Sequence, residues 1–120
     1  GADALSLINT LLGMRINVDT RRPILSNIMG GMSGPAVFPI AVRMVYQVRK
    51  AVDVPIIGMG GIRTGRDIAE MMLAGADAIA IGTAMFAEPM APVKALNELK
   101  EYMIQHGIEK VTDLTGAVEV

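Results

Sequence analysis

Several residue types are missing or scarce in the 120-residue chain, and each shortage excludes some chemistry. Cysteine is absent and histidine occurs once, so disulfides, thiolate ligands and a cysteine nucleophile are excluded within these residues. Aromatic residues make up 3% and the net charge is −1, which disfavours nucleic acid as a partner. Charged residues interrupt every apolar run before the roughly 18 residues of a membrane span. We therefore expect no metal site, no nucleic-acid partner and no membrane partner.

Hydrophobic residues, at 52%, supply ample material for the core of one small domain. The chain opens with Gly1-Ala2-Asp3-Ala4, without an initiator methionine or a signal peptide. Such an opening is typical of the middle of a domain. We therefore expect a piece of a longer protein.

An internal repeat indicates the architecture. The segment Gly1–Thr10 closely echoes Gly75–Thr83, and both run from Gly-Ala-Asp through an apolar stretch to a small polar tip. In the second copy the glycine follows an apolar helix, Ile68–Ala74, and a glycine with positive φ is a common helix end. The two copies are typical of successive strand-and-helix units of one barrel.

The segments between and after the copies alternate between strand and helix patterns. A β-branched run bounded by Asp53 and Gly58 predicts a buried parallel strand. Helical spacing of apolar residues and capping signals predict three helices: Pro35–Ala51, Thr64 (as cap) to about Ala74, and Pro92 to about His106. In the last helix the apolar residues predicted to share one side are Val93, Leu96, Leu99, Met103 and Ile104.

The segment Gly13–Met32 does not follow helical periodicity. It predicts a small β excursion in which Arg15–Asp19 and Pro23–Asn27 form strands. A long insertion after a strand is often functional.

Two glycine-bearing turns carry the strongest functional signal. Gly58-Met59-Gly60-Gly61 and Gly82-Thr83 each close an apolar run and each precede a helix pattern. Backbone N–H groups in such turns can point at an anion where no Cβ crowds it, and a helix dipole adds partial positive charge. The pair predicts a phosphate site between the last strands of a (β/α) barrel. The fold class is therefore α/β, the C-terminal part of a TIM (β/α)8 barrel with about three strands and their helices.

The chain closely resembles a known family over essentially its whole length. The segments that carry the resemblance are Ile8-Asn9-Thr10, Thr20–Asn27, Gly30–Pro35, Ile57–Gly61 and Ile81-Gly82-Thr83. In order and spacing these segments are similar to the C-terminal part of dihydroorotate dehydrogenase, specifically the NAD-linked class 1B catalytic subunit. The resemblance implies that residues 1–120 form the C-terminal part of a single FMN-binding barrel domain whose N-terminal part is absent.

The resemblance also implies a role for individual residues. Those expected at the FMN phosphate are Gly60, Gly61, Gly82 and Thr83, and those expected at the rest of the flavin are Ile8 and Gly34. Asn9 and Thr10 are expected to bind the substrate. No catalytic residue is expected within the chain, because the family's base is a cysteine that belongs to the absent part.

The implied reaction oxidises dihydroorotate to orotate through FMN, in the de novo synthesis of pyrimidines (UMP) in the cytoplasm, with the electrons passed on to NAD⁺. The implied partners are the remainder of the barrel and an electron-transfer subunit that carries FAD and a [2Fe-2S] cluster, together in a heterotetramer. We expect the chain alone to be inactive.

Other interpretations of the sequence stay open. The same glycine turns would serve another FMN-binding or phosphate-binding barrel enzyme. Alternatively the chain is a half-barrel binding or assembly module without activity of its own, which covers its open sheet edges with a second chain. Arg63 stands beside the phosphate turn, but the sequence alone favours a solvated residue next to the helix cap at Thr64.

Overall fold

The computed structural model describes all 120 residues. Its strands are β1 (Leu5–Leu7), β2 (Leu11–Met14), β3 (Ile16–Asn17), β4 (Arg22–Pro23), β5 (Met29–Met32), β6 (Ile56–Met59) and β7 (Ala78–Ala80). Its α-helices are α1 (Phe38–Arg49), α2 (Gly65–Ala74), α3 (Ala84–Ala87) and α4 (Ala91–Gln105), with 3-10 turns at Pro35–Val37 and Val111–Leu114. None of the helices has both the length and the apolar character needed to cross a bilayer.

Three parallel strands form the centre of the fold, in the order β1-β6-β7. Leu7 pairs with Gly58, and Gly58 in turn pairs with Ile79, so the carboxyl ends of all three strands lie at one edge of the sheet. Helix α1 precedes β6 and helix α2 connects β6 to β7. This strand-helix alternation confirms the α/β prediction and is consistent with part of a (β/α)8 barrel.

The hydrophobic core lies between the sheet and the helices that cover it. Its largest fully buried side chains are those of Val37, Val45, Ile56 and Met71. Ile57, between two buried positions of β6, is 36% exposed. Successive residues of a strand point to opposite faces, so one face of the sheet is covered by helices while the other stays open within this chain.

Local signals in the sequence set the ends of α2. Thr64 and Asp67 form a capping box: the Asp67 N–H donates to Thr64 Oγ1 and the Thr64 N–H donates to Asp67 Oδ2. Gly75 ends the helix with φ of 130°, as predicted. Gly65 in the first turn lies so close to α4 that a Cβ atom would overlap the backbone nitrogen of Leu99.

Two predicted elements differ from the structure. The excursion is a longer antiparallel ribbon (residues 11–32), in which β2 pairs with β5 and only two-residue strands, β3 and β4, pair near the tip. In α4, Leu99 is buried, but Val93, Leu96 and Ile104 are exposed, Ile104 by 80%. The apolar side of α4 is therefore wider than the surface that the rest of this chain covers.

Candidate active site

The carboxyl ends of β1, β6 and β7 open into a cavity of about 390 Å³. The volume is in the range of small-molecule sites, which run from about 300 to 1,000 Å³. All eight residues predicted for the site line this cavity: Ile8, Asn9, Thr10, Gly34, Gly60, Gly61, Gly82 and Thr83. Other lining residues are Met32, Ser33, Pro35, Met59, Arg63 and Ala84. The structure thus brings together predicted site residues that lie up to 75 positions apart in the sequence, from 8 to 83.

The tip of β1 contributes both apolar and polar groups. Ile8 is buried and its N–H donates to the Met59 carbonyl at 3.0 Å, which fixes the tip of β1 to that of β6. The peptide bond between Leu7 and Ile8 is cis. Asn9 and Thr10 follow as exposed residues, and Asn9 Oδ1 accepts a hydrogen bond of 2.8 Å from the Thr10 N–H. The Asn9 amide nitrogen makes no hydrogen bond within the chain, which leaves it available to a ligand.

The two glycines after β6 owe their identity to backbone conformation and packing. Gly60 and Gly61 have φ of 124° and 76°, a region that favours glycine. A Cβ atom on Gly61 would lie 2.6 Å from the Gly34 carbonyl oxygen and 2.8 Å from Phe38 Cβ. A side chain on Gly61 would therefore collide with the protein itself, and not only with a bound phosphate as the sequence predicts.

Gly82, after β7, is different. A Cβ atom there would meet no protein atom within 4 Å, and the backbone of Gly82 is not left-handed. The Gly82 carbonyl accepts from the Met85 N–H at 3.0 Å, and the Thr83 carbonyl accepts from the Phe86 N–H at 3.1 Å. Gly82 therefore borders open space in the cavity while its own carbonyl is occupied.

Several backbone donors at the cavity have no acceptor in the chain. Four of them, the N–H groups of Gly60, Gly61, Gly82 and Thr83, lie on the two turns that follow β6 and β7, and we call these residues the phosphate cup. Unpaired backbone N–H groups on adjacent turns are well suited to anion oxygens. A phosphate ester therefore fits the donor chemistry of these residues.

Most amides at the start of α2 already have acceptors within the chain, contrary to the expectation from the sequence. The N–H groups of Arg63 and Thr64 donate to Asp67 Oδ2, each at 2.9 Å, and the Gly65 N–H donates to Glu98 Oε2 at 2.7 Å. Two carboxylates thus occupy the amides at the start of α2 and offset its dipole. The capping residues predicted from the sequence are the physical reason for this difference.

Arg63 is the only charged residue among those that line the cavity. Sequence reasoning left it outside the site as a solvated residue, and it is indeed exposed. Its position directly after Gly60-Gly61-Ile62 was the signal that could have included it. The nearby Glu88 lies outside the lining, and its hydrogen bond and charge interaction with Lys94 lower the pKa of its carboxyl below the ordinary value.

Comparisons with known proteins identify the family of the chain. The family model described as dihydroorotate dehydrogenase matches residues 1–103. A relative from Citrifermentans bemidjiense, named dihydroorotate dehydrogenase B (NAD(+)), catalytic subunit, is 56% identical over 120 residues. One of the same name from Bacteroides fragilis is 55% identical over 120 residues. Each match covers the whole chain but only 39% and 40% of the respective relative.

Solved structures agree as well. Dihydroorotate dehydrogenase (DHODH) of Eimeria tenella in complex with ferulenol superimposes with a TM-score of 0.80 at 30% identity, over 96% of this chain and 31% of that one. The ligand-free form of that protein gives a TM-score of 0.79 at 30% identity, over 96% of this chain and 32% of that chain. The family model matches most of the 120 residues, and the solved structures of this family share the fold. The chain belongs to the dihydroorotate dehydrogenase family.

Proposed function

We propose that the chain is the C-terminal part of the catalytic subunit of an NAD-linked dihydroorotate dehydrogenase, and that residues 1–120 belong to a single FMN-binding (β/α)8 domain. The observation that carries the proposal is the set of four unpaired N–H donors of the phosphate cup, in one cavity with Asn9 and Thr10. Family membership and the names of the relatives support it.

FMN fits the residues present. Its phosphate would accept from the backbone N–H groups of the phosphate cup, and Gly82 leaves space there that a side chain would fill. Ile8 and Gly34, both buried at the cavity wall, would pack against the remainder of the flavin. When bound, FMN accepts the hydride that dihydroorotate loses as it is oxidised to orotate.

Asn9 and Thr10 would bind and orient the substrate. The Asn9 amide N–H donors and the Thr10 hydroxyl suit the carboxylate and ring oxygens of a dihydropyrimidine carboxylate. The contact between Asn9 Oδ1 and the Thr10 N–H holds the pair at the strand tip, so that the donors are positioned before the substrate arrives.

Other residues of the protein would complete the site. Strands β1 and β7 are the edges of the sheet, and Phe86 on α3 is 94% exposed. Unpaired edges and large exposed side chains are expected where further strands and helices of the same barrel pack. We propose that the proton-accepting cysteine implied by the family resemblance belongs to that further part, and that this chain alone does not turn over substrate.

The electron acceptor and the assembly are proposed on the names of the relatives. Their description as the catalytic subunit of an NAD(+) enzyme supports a separate electron-transfer subunit. We propose that this partner carries FAD and a [2Fe-2S] cluster, forms a heterotetramer with the catalytic subunit, and delivers the electrons to NAD⁺ in the cytoplasm.

The proposal is tested by the flavin content of the complete protein carrying Gly82→Val. A Cβ atom at position 82 meets no protein atom within 4 Å and borders the phosphate cup, so FMN affinity should fall by about tenfold or more while thermal stability of the flavin-free form changes little. Gly13→Val is the matched control, since Gly13 lies in β2 outside the cavity and a Cβ there makes only ordinary contacts at 3.8 Å. Flavin absorbance and fluorescence titration give the readout.

Normal FMN content in Gly82→Val, or an equal loss in Gly13→Val, would count against the phosphate cup. A wild-type protein that binds a different phosphorylated compound there, and no flavin, would favour the alternative of another phosphate-binding barrel enzyme.

A further inference from the structure

Positive charge is scarce around the cavity. Arg63 is the only charged residue in its lining, and the phosphate cup itself offers only neutral N–H groups. A phosphate monoester carries close to two negative charges at neutral pH. The cup can therefore hydrogen-bond such a group but supplies no formal countercharge.

The N-terminus of a helix is another common source of positive charge, but at α2 this charge is already compensated. At the start of α2 the carboxylates of Asp67 and Glu98 accept from the amides of residues 63 to 65, so this helix end has negative neighbours. Helix α3, which follows Thr83, has four residues and a correspondingly small dipole. Neither helix can balance a phosphate charge.

Arg63 is well placed to balance the charge of a phosphate. Its backbone is held by the 2.9 Å hydrogen bond from its N–H to Asp67 Oδ2, and the preceding Ile62 is buried. Its guanidinium makes no hydrogen bond or ion pair within the chain. The anchor of the side chain is thus fixed beside the phosphate cup while its charged end is uncommitted.

Neighbouring cations are committed elsewhere. Arg66 lies over the ring of Tyr102 at 5.9 Å and is not part of the cavity lining, and Lys94 pairs with Glu88. Arg63 is therefore the one cation next to the cup that is free to respond to a ligand.

We propose that Arg63 supplies the formal positive charge of the phosphate site and makes the cavity select the phosphorylated flavin, FMN, over uncharged riboflavin. The inference rests on the proposed FMN site. A guanidinium can reach phosphate oxygens with paired donors, and in a partly enclosed cavity the interaction is less screened than on an open surface. Selectivity for the phosphorylated form would then depend on one side chain that follows the glycine turn.

The test measures FMN and riboflavin binding by flavin fluorescence, with the complete protein after its own flavin is removed. Riboflavin is measured by competition against FMN. Arg63→Gln should weaken FMN binding about 5-fold to 10-fold and leave riboflavin binding unchanged. FMN affinity of the wild type should fall as NaCl is raised from about 50 to about 500 mM, because salt screens the charge interaction, and this fall should be smaller in Arg63→Gln. Arg63→Lys should retain most of the FMN affinity. Arg66→Gln, which removes the same charge three positions away, is the control.

Three results would overturn the proposed role of Arg63. Wild-type FMN affinity in Arg63→Gln overturns the inference, and so does an equal loss for FMN and riboflavin, because a purely structural role would affect both. An effect of similar size in Arg66→Gln overturns it too, as it would reflect net charge alone. If wild-type protein binds no FMN, or if Gly82→Val leaves FMN binding intact, the proposed function itself fails.

Discussion

Gly61 and Gly34 approach each other so closely that a Cβ atom on Gly61 would lie 2.6 Å from the Gly34 carbonyl oxygen. Both residues line the cavity, and both have positive φ, 76° and 90°. Two segments that are far apart in the sequence therefore meet backbone to backbone at the site. The contact makes Gly61 a requirement of the fold before any ligand is considered.

Replacing Gly61 by alanine should destabilise the protein whether or not flavin is present. The left-handed backbone and the overlap with Gly34 and Phe38 together predict a loss of about 2 to 4 kcal/mol in the free energy of unfolding. Urea denaturation of the flavin-free complete protein measures it. Gly82→Ala serves as the control, with an expected change below about 0.5 kcal/mol. Equal stability of the two variants would contradict the packing argument.

Asn9→Ala should separate substrate binding from flavin binding. The side chain makes one local hydrogen bond, to the Thr10 N–H, and its amide donors are free. Loss of a hydrogen bond to the substrate carboxylate should lower kcat/KM for dihydroorotate about 10-fold to 100-fold, with FMN content unchanged. The measurement is steady-state oxidation by the complete enzyme, with Asn97→Ala on the exposed surface of α4 as control. Unaltered kinetics in Asn9→Ala would remove it from the substrate site.

Arg49→Met should destabilise the contact between the end of α1 and the starts of β6 and β7. The Arg49 guanidinium donates to the Gly75 carbonyl at 2.9 Å and contacts Asp77 Oδ2, which also accepts from the Ile56 N–H at 2.8 Å. Its removal leaves acceptors at the start of β6 and β7 with fewer partners, and we expect a loss of about 1 to 3 kcal/mol in unfolding free energy.

Thermal and urea unfolding of Arg49→Met are compared with those of Lys94→Met. The side chains of Lys94 and Glu88 are 61% and 45% exposed, so water replaces much of that ion pair and little change is expected. If both variants unfold like the wild type, Arg49 does not stabilise the contact between α1, β6 and β7.

Local sequence signals account for much of the fold. The capping box at Thr64 and the glycine at position 75 set the ends of α2 as predicted, since both act within one turn of helix. The echo between Gly1–Thr10 and Gly75–Thr83 predicted successive units of one barrel. The two copies form the parallel strands β1 and β7 of one sheet, but they are not successive, because β6 lies between them. Short-range patterns suffice for such elements because their hydrogen bonds are local or repeat from unit to unit.

Contacts between distant segments could not be predicted from the sequence. The ribbon pairs Leu11 with Met32, and that register depends on cross-strand partners rather than on periodicity within either strand. The apolar pattern of α4 could not say that Ile104 is exposed, because burial depends on what packs against a helix and not on the helix itself.

The sequence by itself determined that this is an α/β barrel segment with glycine turns at the ends of its strands and polar residues at Asn9 and Thr10. Only the tertiary structure decided why each glycine is there: Gly61 because it packs against the Gly34 backbone, and Gly82 because it borders open space. It also decided that Asp67 and Glu98 occupy the amides of α2 and that Arg63 joins the cavity. The reason is physical, since composition and spacing fix which groups a strand tip carries, whereas the closeness of those groups depends on how separate strands and helices pack.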